Sequence, residues 1–151
     1  MRVLRSLVIF KVGVWLGVWL AAAFAKRAVP SRGDESSNEL SLVAIFDGVE
    51  LESRADAFKG GSMLAWFGGI EADLREAELA PDARLSVFTL FGGINIQTPP
   101  GWRVESSVKA LAGGVDARTP GQDDDPDAPV LALDGIALLG GIAVGSKPKG
   151  R

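Results

Sequence analysis

A dipeptide, Gly-Gly or in one case Asp-Gly, recurs along most of this chain. The five copies begin at Asp47, Gly68, Gly92, Gly113 and Gly140, so their spacings are 21, 24, 21 and 27 residues. A period of this size is typical of stacked repeats, in which no single copy folds alone. The residues that define the motif are Phe46, Gly48, Phe67, Gly68, Gly69, Phe91, Gly92, Gly93, Gly113, Gly114, Gly140 and Gly141.

Apolar and polar side chains alternate after each glycine pair. In the second copy, Ile70, Ala72 and Leu74 are separated by charged residues. A period of two predicts a strand with one buried and one solvated face. The segments before the pairs, such as 42–46 and 85–91, are denser in apolar residues and predict strands buried on much of both faces. The predicted fold class is therefore all-β.

The glycine pairs need a geometric role between two strands. A Gly-Gly step can form the tight turn of a hairpin, or it can form a corner where neighbouring coils approach closely. The regular spacing favours corners that stack above one another, so the sequence predicts a solenoid-like repeat domain with one repeat per coil. Stacked hairpins and an ordinary β-sandwich are the alternatives.

The first 26 residues have a different character. Residues 6–25 form an apolar run that is interrupted only by Lys11. A helix of this length would be about 30 Å long, close to the hydrocarbon thickness of a bilayer. One N-terminal transmembrane helix is predicted, although Ala23-Phe24-Ala25 also fits a signal-peptide cleavage site. Basic residues flank both sides of the run, so the orientation across the membrane is left open.

The predicted organisation follows from these segments. Residues 1–26 are interpreted as the anchor or signal peptide, and residues 27–38, rich in Pro, Gly, Ser and charge, as a flexible linker. The β-repeat domain is expected at 39–145. The remaining residues, 146–151, are interpreted as a disordered tail.

Composition restricts the chemistry. The chain has no Cys, His or Tyr, which excludes disulfides, thiolate or Ser-His-Asp catalysis, and His- or Cys-ligated zinc. Beyond Arg2, Arg5 and Lys11, the remaining 13 basic and 19 acidic residues give a net charge of −6. An acidic domain argues against nucleic-acid binding. We therefore expect no enzymatic activity, cofactor or resident metal.

Acidic residues provide two candidate sites. If the repeats stack in register, one outward row would contain Glu50, Glu71, Asn95, Asp116 and Ala143. Such a row could dock a basic partner, or it could be an ordinary solvated face. The run 123–127, which contains four aspartates, could bind Ca²⁺ or Mg²⁺, but its spacing is not that of an EF-hand and a solvated loop is favoured.

Two tryptophans are candidates for packing or recognition. Trp66 lies next to Phe67 in a predicted strand and is interpreted as a core residue. Trp102 follows the rigid Pro99-Pro100-Gly101 turn. It is either an exposed recognition aromatic or a side chain that packs over the solenoid.

Two stretches carry a resemblance to a known family. They are WFGGIEADLREAEL at 66–79 and LSVFTLFGGINIQTPPGWRVE at 85–105, followed by two weaker Gly-Gly strands. Together they resemble the LiaF C-terminal family, also described as the cell-wall-active antibiotic response domain and related to the toast-rack β-domains. The resemblance covers about residues 40–145. This sequence has one apolar segment where LiaF itself has several.

The resemblance implies an all-β repeat domain on a membrane-anchored bacterial protein, with no catalytic residues. It links the chain to envelope-stress sensing and to the regulation of sensor kinases. The expected function is a non-enzymatic, single-pass interaction module at the cell membrane, whose partners are the lipid bilayer and a protein sensor or regulator. The alternatives are a scaffold that self-associates through the open edges of its terminal coils, and a secreted ligand-binding protein.

Overall fold

The computed structural model of the chain describes residues 32–117 and 125–148. The chain divides into two compact units, Met1–Pro30 and Ser31–Arg151, and the described residues all belong to the second. In this part of the chain, no helix is long and apolar enough to cross a membrane. The predicted N-terminal helix lies outside the described residues.

Nine strands account for most of the described domain, and the first begins at Glu39, where the repeat domain was expected to start. Their bounds are β1 (Glu39–Ile45), β2 (Gly48–Glu52), β3 (Phe58–Trp66), β4 (Gly69–Asp73), β5 (Leu79–Thr89), β6 (Gly93–Thr98), β7 (Arg103–Ser106), β8 (Lys109–Asp116) and β9 (Val130–Ser146).

The strands stack as a parallel β-solenoid of about four turns. We call each level of the stack a layer, and the five layers are formed, in spatial order, by β1–β2, β3–β4, β5–β6, β9 and β7–β8. Within each of the first three layers, two strands meet at a corner: β1 with β2, β3 with β4, and β5 with β6. Every strand-to-strand pairing between layers is parallel, and the register is continuous except for a shift between Phe58 and Gly60 in the β3–β5 pair. Gly69, for example, pairs with Gly93. The solenoid prediction is confirmed. Hairpins and a sandwich are excluded for this region, because both require antiparallel neighbours.

The order of the layers in space is not their order in the chain. The long strand β9 pairs with β5 and β6 on one side and with β7 and β8 on the other. The fifth copy of the motif is therefore inserted between the third and the fourth. Within the described residues, the two terminal layers are β1–β2 and β7–β8. The last copy of the motif in the chain is therefore an internal layer of the stack.

The core consists of rows of apolar side chains that run along the stack. Leu42, Met63 and Val87 occupy one row, and each is at most 3% exposed. We call the strand before the corner the first arm of a layer and the strand after it the second arm. Ile70 and Ile94 belong to another row, on the second arm. Full burial of one such side chain stabilises the fold by about 1.5–3 kcal/mol. The post-glycine strands thus have the predicted buried face.

The first arm of each layer departs from its prediction. Its strands alternate between buried and outward residues, and Ser62 and Ser86 are exposed. The expectation of strands buried on both faces is therefore wrong. Leu64 and Phe88 point outward and are only half-buried, because apolar side chains of neighbouring layers cover one another sideways.

The first position of each repeat step forms what we call the corner row. Its residues, in spatial order, are Asp47, Gly68, Gly92, Gly140 and Gly113. A Cβ added at any of these four glycines would lie within 3.0 Å of a backbone oxygen in the preceding layer. Glycine is therefore needed wherever a layer precedes the corner. Asp47 is tolerated because it lies in the first layer of the described stack.

The structure corrects the prediction for Trp66 and decides between the two interpretations of Trp102. Trp66 is 43% exposed rather than part of the core, because it lies at the end of β3 beside the corner. Trp102 is only 7% exposed and belongs to the hydrophobic core cluster. The interpretation of Trp102 as an exposed recognition aromatic is therefore wrong, and its packing interpretation is the one that the burial supports.

Candidate functional site

A shallow furrow of about 680 Å³ runs along the stack beside the corner row. It crosses all five layers, with three consecutive residues of each layer lining it. The first of these three residues is glycine in every layer, and we call this set the floor row. In spatial order its members are Gly48, Gly69, Gly93, Gly141 and Gly114.

The fold does not explain the floor row. A Cβ added at Gly48 or Gly114 would meet no atom within 4 Å, and at the other three its nearest neighbour would be a backbone oxygen at 3.8 Å. That distance is an ordinary van der Waals contact. None of the five has the positive φ that favours glycine. Glycine within a strand also weakens it. Neither the packing of the described residues nor the backbone conformation therefore requires glycine in the floor row.

One border of the furrow is the predicted acidic row. The strand registers align Glu50 with Glu71, Glu71 with Asn95, Asn95 with Ala143, and Ala143 with Asp116. The predicted residues thus do share one row, although Ala143 rather than Asn95 is the neighbour of Asp116.

Hydrogen bonds order the middle of the acidic row. The Asn95 side-chain amide donates to Glu71 Oε1 at 3.4 Å, and the Gln97 amide donates to Asn95 Oδ1 at 3.1 Å. Asn95 therefore separates the two glutamates of the first layers from Asp116 in the last layer. The row places carboxylates at both ends of the furrow, with neutral side chains between them.

On the other side of the corner row lies an apolar ridge. Its residues, in spatial order, are Phe46, Phe67, Phe91, Leu139 and Ala112. The rings of Phe46 and Phe67 stack at 4.9 Å, and those of Phe67 and Phe91 at 4.6 Å. All three rings remain 41–45% exposed. An exposed apolar surface of this continuity is typical of an interaction site.

The orientation of the rings limits what this ridge can bind. The interplanar angles of 2° and 22° show that the rings lie face to face. Phe67 therefore has both of its faces covered, and it presents mainly its edge to solvent. Ring faces are the part of an aromatic side chain on which a planar or sugar ring stacks. The ridge is consequently better suited to aliphatic side chains than to a carbohydrate.

Other polar clusters lie away from the furrow. Glu76 accepts a 2.6 Å hydrogen bond from Arg54 Nε and thereby raises the pKa of that guanidinium. The Ser36 and Ser37 hydroxyls donate to Asp34 and lower the pKa of its carboxyl. These contacts organise the loops between layers, and none of their residues lines the furrow.

The aspartate run predicted as a second candidate is only partly described. Asp123 and Asp124 lie outside the described residues. The Asp125 carboxylate accepts a 2.9 Å hydrogen bond from the backbone N–H of Asp127, a local turn. Among residues 32–117 and 125–148, no group of three or more acidic side chains is placed to hold a metal ion.

Sequence reasoning missed part of the surface. Leu111, Ile136 and Leu139 are 40–77% exposed, and Leu139 lies directly beside the corner. The sequence does contain a signal for the exposure of Leu139, because Leu139 precedes its glycine pair as Phe91 precedes Gly92-Gly93. Leu111 is exposed because β8 is a terminal layer, and that depends on the order of the layers.

Comparison of the chain with protein-family models, curated proteins and solved structures finds no match among any of them. The resemblance to the LiaF C-terminal family therefore stays a prediction from the sequence motifs.

Proposed function

We propose that this chain is a non-enzymatic, membrane-tethered binding module whose furrow holds an extended, basic segment of a partner protein. The observation that carries the proposal is the floor row of five glycines, which neither packing nor backbone conformation requires. A surface kept free of side chains allows another chain to lie close to the backbone.

The dimensions of the furrow suit a short extended segment. Parallel layers lie about 4.8 Å apart, so the five floor glycines span about 19 Å along the stack. An extended peptide rises about 3.3 Å per residue, and about six residues would therefore fill this length. Side chains on one side of such a segment would face the apolar ridge, and those on the other would face the acidic row.

Charge favours a basic occupant. Glu50 and Glu71 lie at one end of the furrow and Asp116 at the other. The segment 26–151 carries a net charge of −6. Complementary charges raise the rate and the specificity of association more than the affinity, and added salt weakens them. A segment with apolar and cationic side chains on opposite sides matches both borders.

The cellular part of the proposal rests on the sequence. The apolar run at 6–25 supports a single membrane anchor, and the polar segment 27–38 would keep the domain close to the bilayer. Tethering of this kind raises the effective concentration of a module toward membrane partners. The LiaF-like motifs support a toast-rack domain in a bacterial envelope-stress response, with a sensor or regulator as the partner.

The test uses the full chain in nanodiscs of zwitterionic lipid and a fluorescent peptide of alternating lysine and valine. Its binding is measured by fluorescence anisotropy. We expect saturable binding that weakens with salt. The variant Gly93→Val should bind about tenfold more weakly, because its side chain fills the middle of the floor. Glu71→Gln should reduce affinity by about threefold.

Two controls make the test specific. Glu78→Gln removes an exposed carboxylate that does not line the furrow, so it should bind like the parent chain. A peptide of alternating glutamate and valine should not bind. Equal affinities of the parent chain and Gly93→Val for the lysine peptide would contradict the proposal, as would an absence of binding.

A further inference from the structure

The two ends of the described stack differ in how their open strand edges are treated. At the β1–β2 end, the backbones of Arg32 and Ser41 exchange two hydrogen bonds of 2.6 and 2.7 Å, which cover part of the β1 edge. At the β7–β8 end, seven of the eight residues of β8 are exposed. Within residues 32–117 and 125–148, β9 is the only strand that pairs with β8.

Asp47 closes the corner of the first layer with its side chain. In the inner layers, the floor glycine donates its N–H to the corner residue of the preceding layer, as Gly69 does to the Asp47 carbonyl at 3.1 Å and Gly93 to Gly68 at 3.2 Å. Gly48 has no preceding layer in the described stack. Its N–H donates instead to Asp47 Oδ1 at 2.9 Å, so the carboxylate replaces the missing carbonyl.

The same residue blocks the addition of a further layer. At every later corner the Cβ position lies against the backbone oxygen of the preceding layer, which is why glycine is required there. By the same geometry, the Cβ of Asp47 occupies the place where the corner oxygen of an added layer would lie. Stacking the β1–β2 end of one copy on the β8 end of another would therefore press Asp47 against Gly113.

The β8 end has no side chain at its corner, because residue 113 is glycine. Ala110 and Ala112, on the same strand, are small and exposed. Leu111, at 77%, is the most exposed of the large hydrophobic residues in the described region. An open strand edge with small and apolar side chains is a template for pairing with another strand.

We infer that β8 pairs with β8 of a second copy of this chain across a two-fold axis, and that Asp47 prevents the competing head-to-tail stacking of a β1–β2 end on a β8 end. Pairing is antiparallel, which makes the contact self-complementary and closes the assembly at two copies. With the axis between Ala112 and Gly113, Lys109 of each copy pairs directly with Asp116 of the other. Side chains of directly paired residues lie on the same face of a sheet, so the two opposite charges attract.

Sedimentation velocity of the full chain in density-matched detergent tests the inference. We expect a concentration-dependent dimer. Lys109→Glu and Asp116→Lys should each weaken dimerisation by about tenfold, and the double variant should restore it, because the charges are exchanged. Within one copy these residues lie at opposite ends of β8, so restoration cannot arise inside a single chain. A monomer at all concentrations, or a double variant weaker than either single one, would overturn the pairing.

Cysteine cross-linking locates the contact, since the chain has no cysteine of its own. Ala112→Cys, near the axis, should cross-link to a dimer with a short bismaleimide, whereas Glu50→Cys in the first layer should not. Equal cross-linking of both would place the contact elsewhere, for example in residues 1–31. Asp47→Gly should produce assemblies larger than a dimer, and an unchanged dimer would overturn the role of Asp47 in limiting growth.

Discussion

The corner row and the floor row lie one residue apart in every layer, yet the fold requires glycine in only one of them. At the corner, a side chain would meet the backbone of the preceding layer. On the floor, a methyl group would fit without displacing any neighbour. The comparison shows that one repeated Gly-Gly dipeptide contains a glycine that packing requires and a glycine that it does not.

Alanine substitution in each row of one layer tests this difference, and the largest effect is expected in the corner row. Gly92→Ala should lower the free energy of unfolding by about 3 kcal/mol, because its Cβ would lie within 3.0 Å of the Gly68 carbonyl and force two layers apart. Urea denaturation followed by tryptophan fluorescence measures the change. A Gly92→Ala variant as stable as the parent would show that the corner row is not required by packing.

Removal of a phenylalanine ring from the apolar ridge should cause a loss of stability of intermediate size. Phe67→Ala removes two ring stacks, whereas Phe46→Ala removes one. Because the rings are partly exposed, we expect the first variant to lose about 1–2 kcal/mol of stability and the second about half of that. The same denaturation experiment checks the order. Equal losses would mean that the stacks contribute little beyond the burial of each ring.

The floor-row variant that matches Gly92→Ala should stabilise the fold instead of destabilising it. Gly93→Ala should raise the free energy of unfolding by about 0.4–1 kcal/mol, because alanine restricts the unfolded chain and fits the extended backbone. If the furrow binds a peptide, the same variant should bind it more weakly. A loss of stability at Gly93→Ala would remove the distinction between the two rows.

The smallest expected effect concerns the one exception in the corner row. Asp47→Ala removes the acceptor of the 2.9 Å hydrogen bond from Gly48 and should lower stability by about 0.5 kcal/mol, since water can replace it at this exposed position. Asp47→Asn keeps an oxygen at the same place and should be close to neutral. A larger loss in the asparagine variant would show that the charge, and not the hydrogen bond, is what matters.

The sequence predicts the architecture well because its signal is local and repeated. The alternation around Ile70 and Ile94 and the spacing of the glycine pairs are enough to indicate parallel layers with stacked corners. The row that contains Glu50 and Glu71 follows from the same register. These predictions need only the period of a strand and the length of a repeat.

The features that the sequence does not predict depend on contacts between residues that are distant in the chain. Nothing in the motif indicates that Leu139 lies between Phe91 and Ala112, because pairing order is decided by which layers bury most surface together. The sequence assigns Trp66 to the wrong environment and leaves Trp102 with two alternatives for a related reason. Their burial is set by the corner and by the turn at residues 99–101, and not by the alternation of the strands. The different roles of the two glycine rows likewise require atomic distances.

The insertion of β9 between the third and fourth layers has a consequence for how the domain is made. A ribosome releases β7 and β8 before β9, so during synthesis these two strands wait without their only described neighbour. Loss of Val130–Ser146 would therefore deprive the domain of two layers rather than one. The positions of two layers thus depend on β9, and a chain truncated before Val130 keeps three described layers with β7 and β8 unpaired.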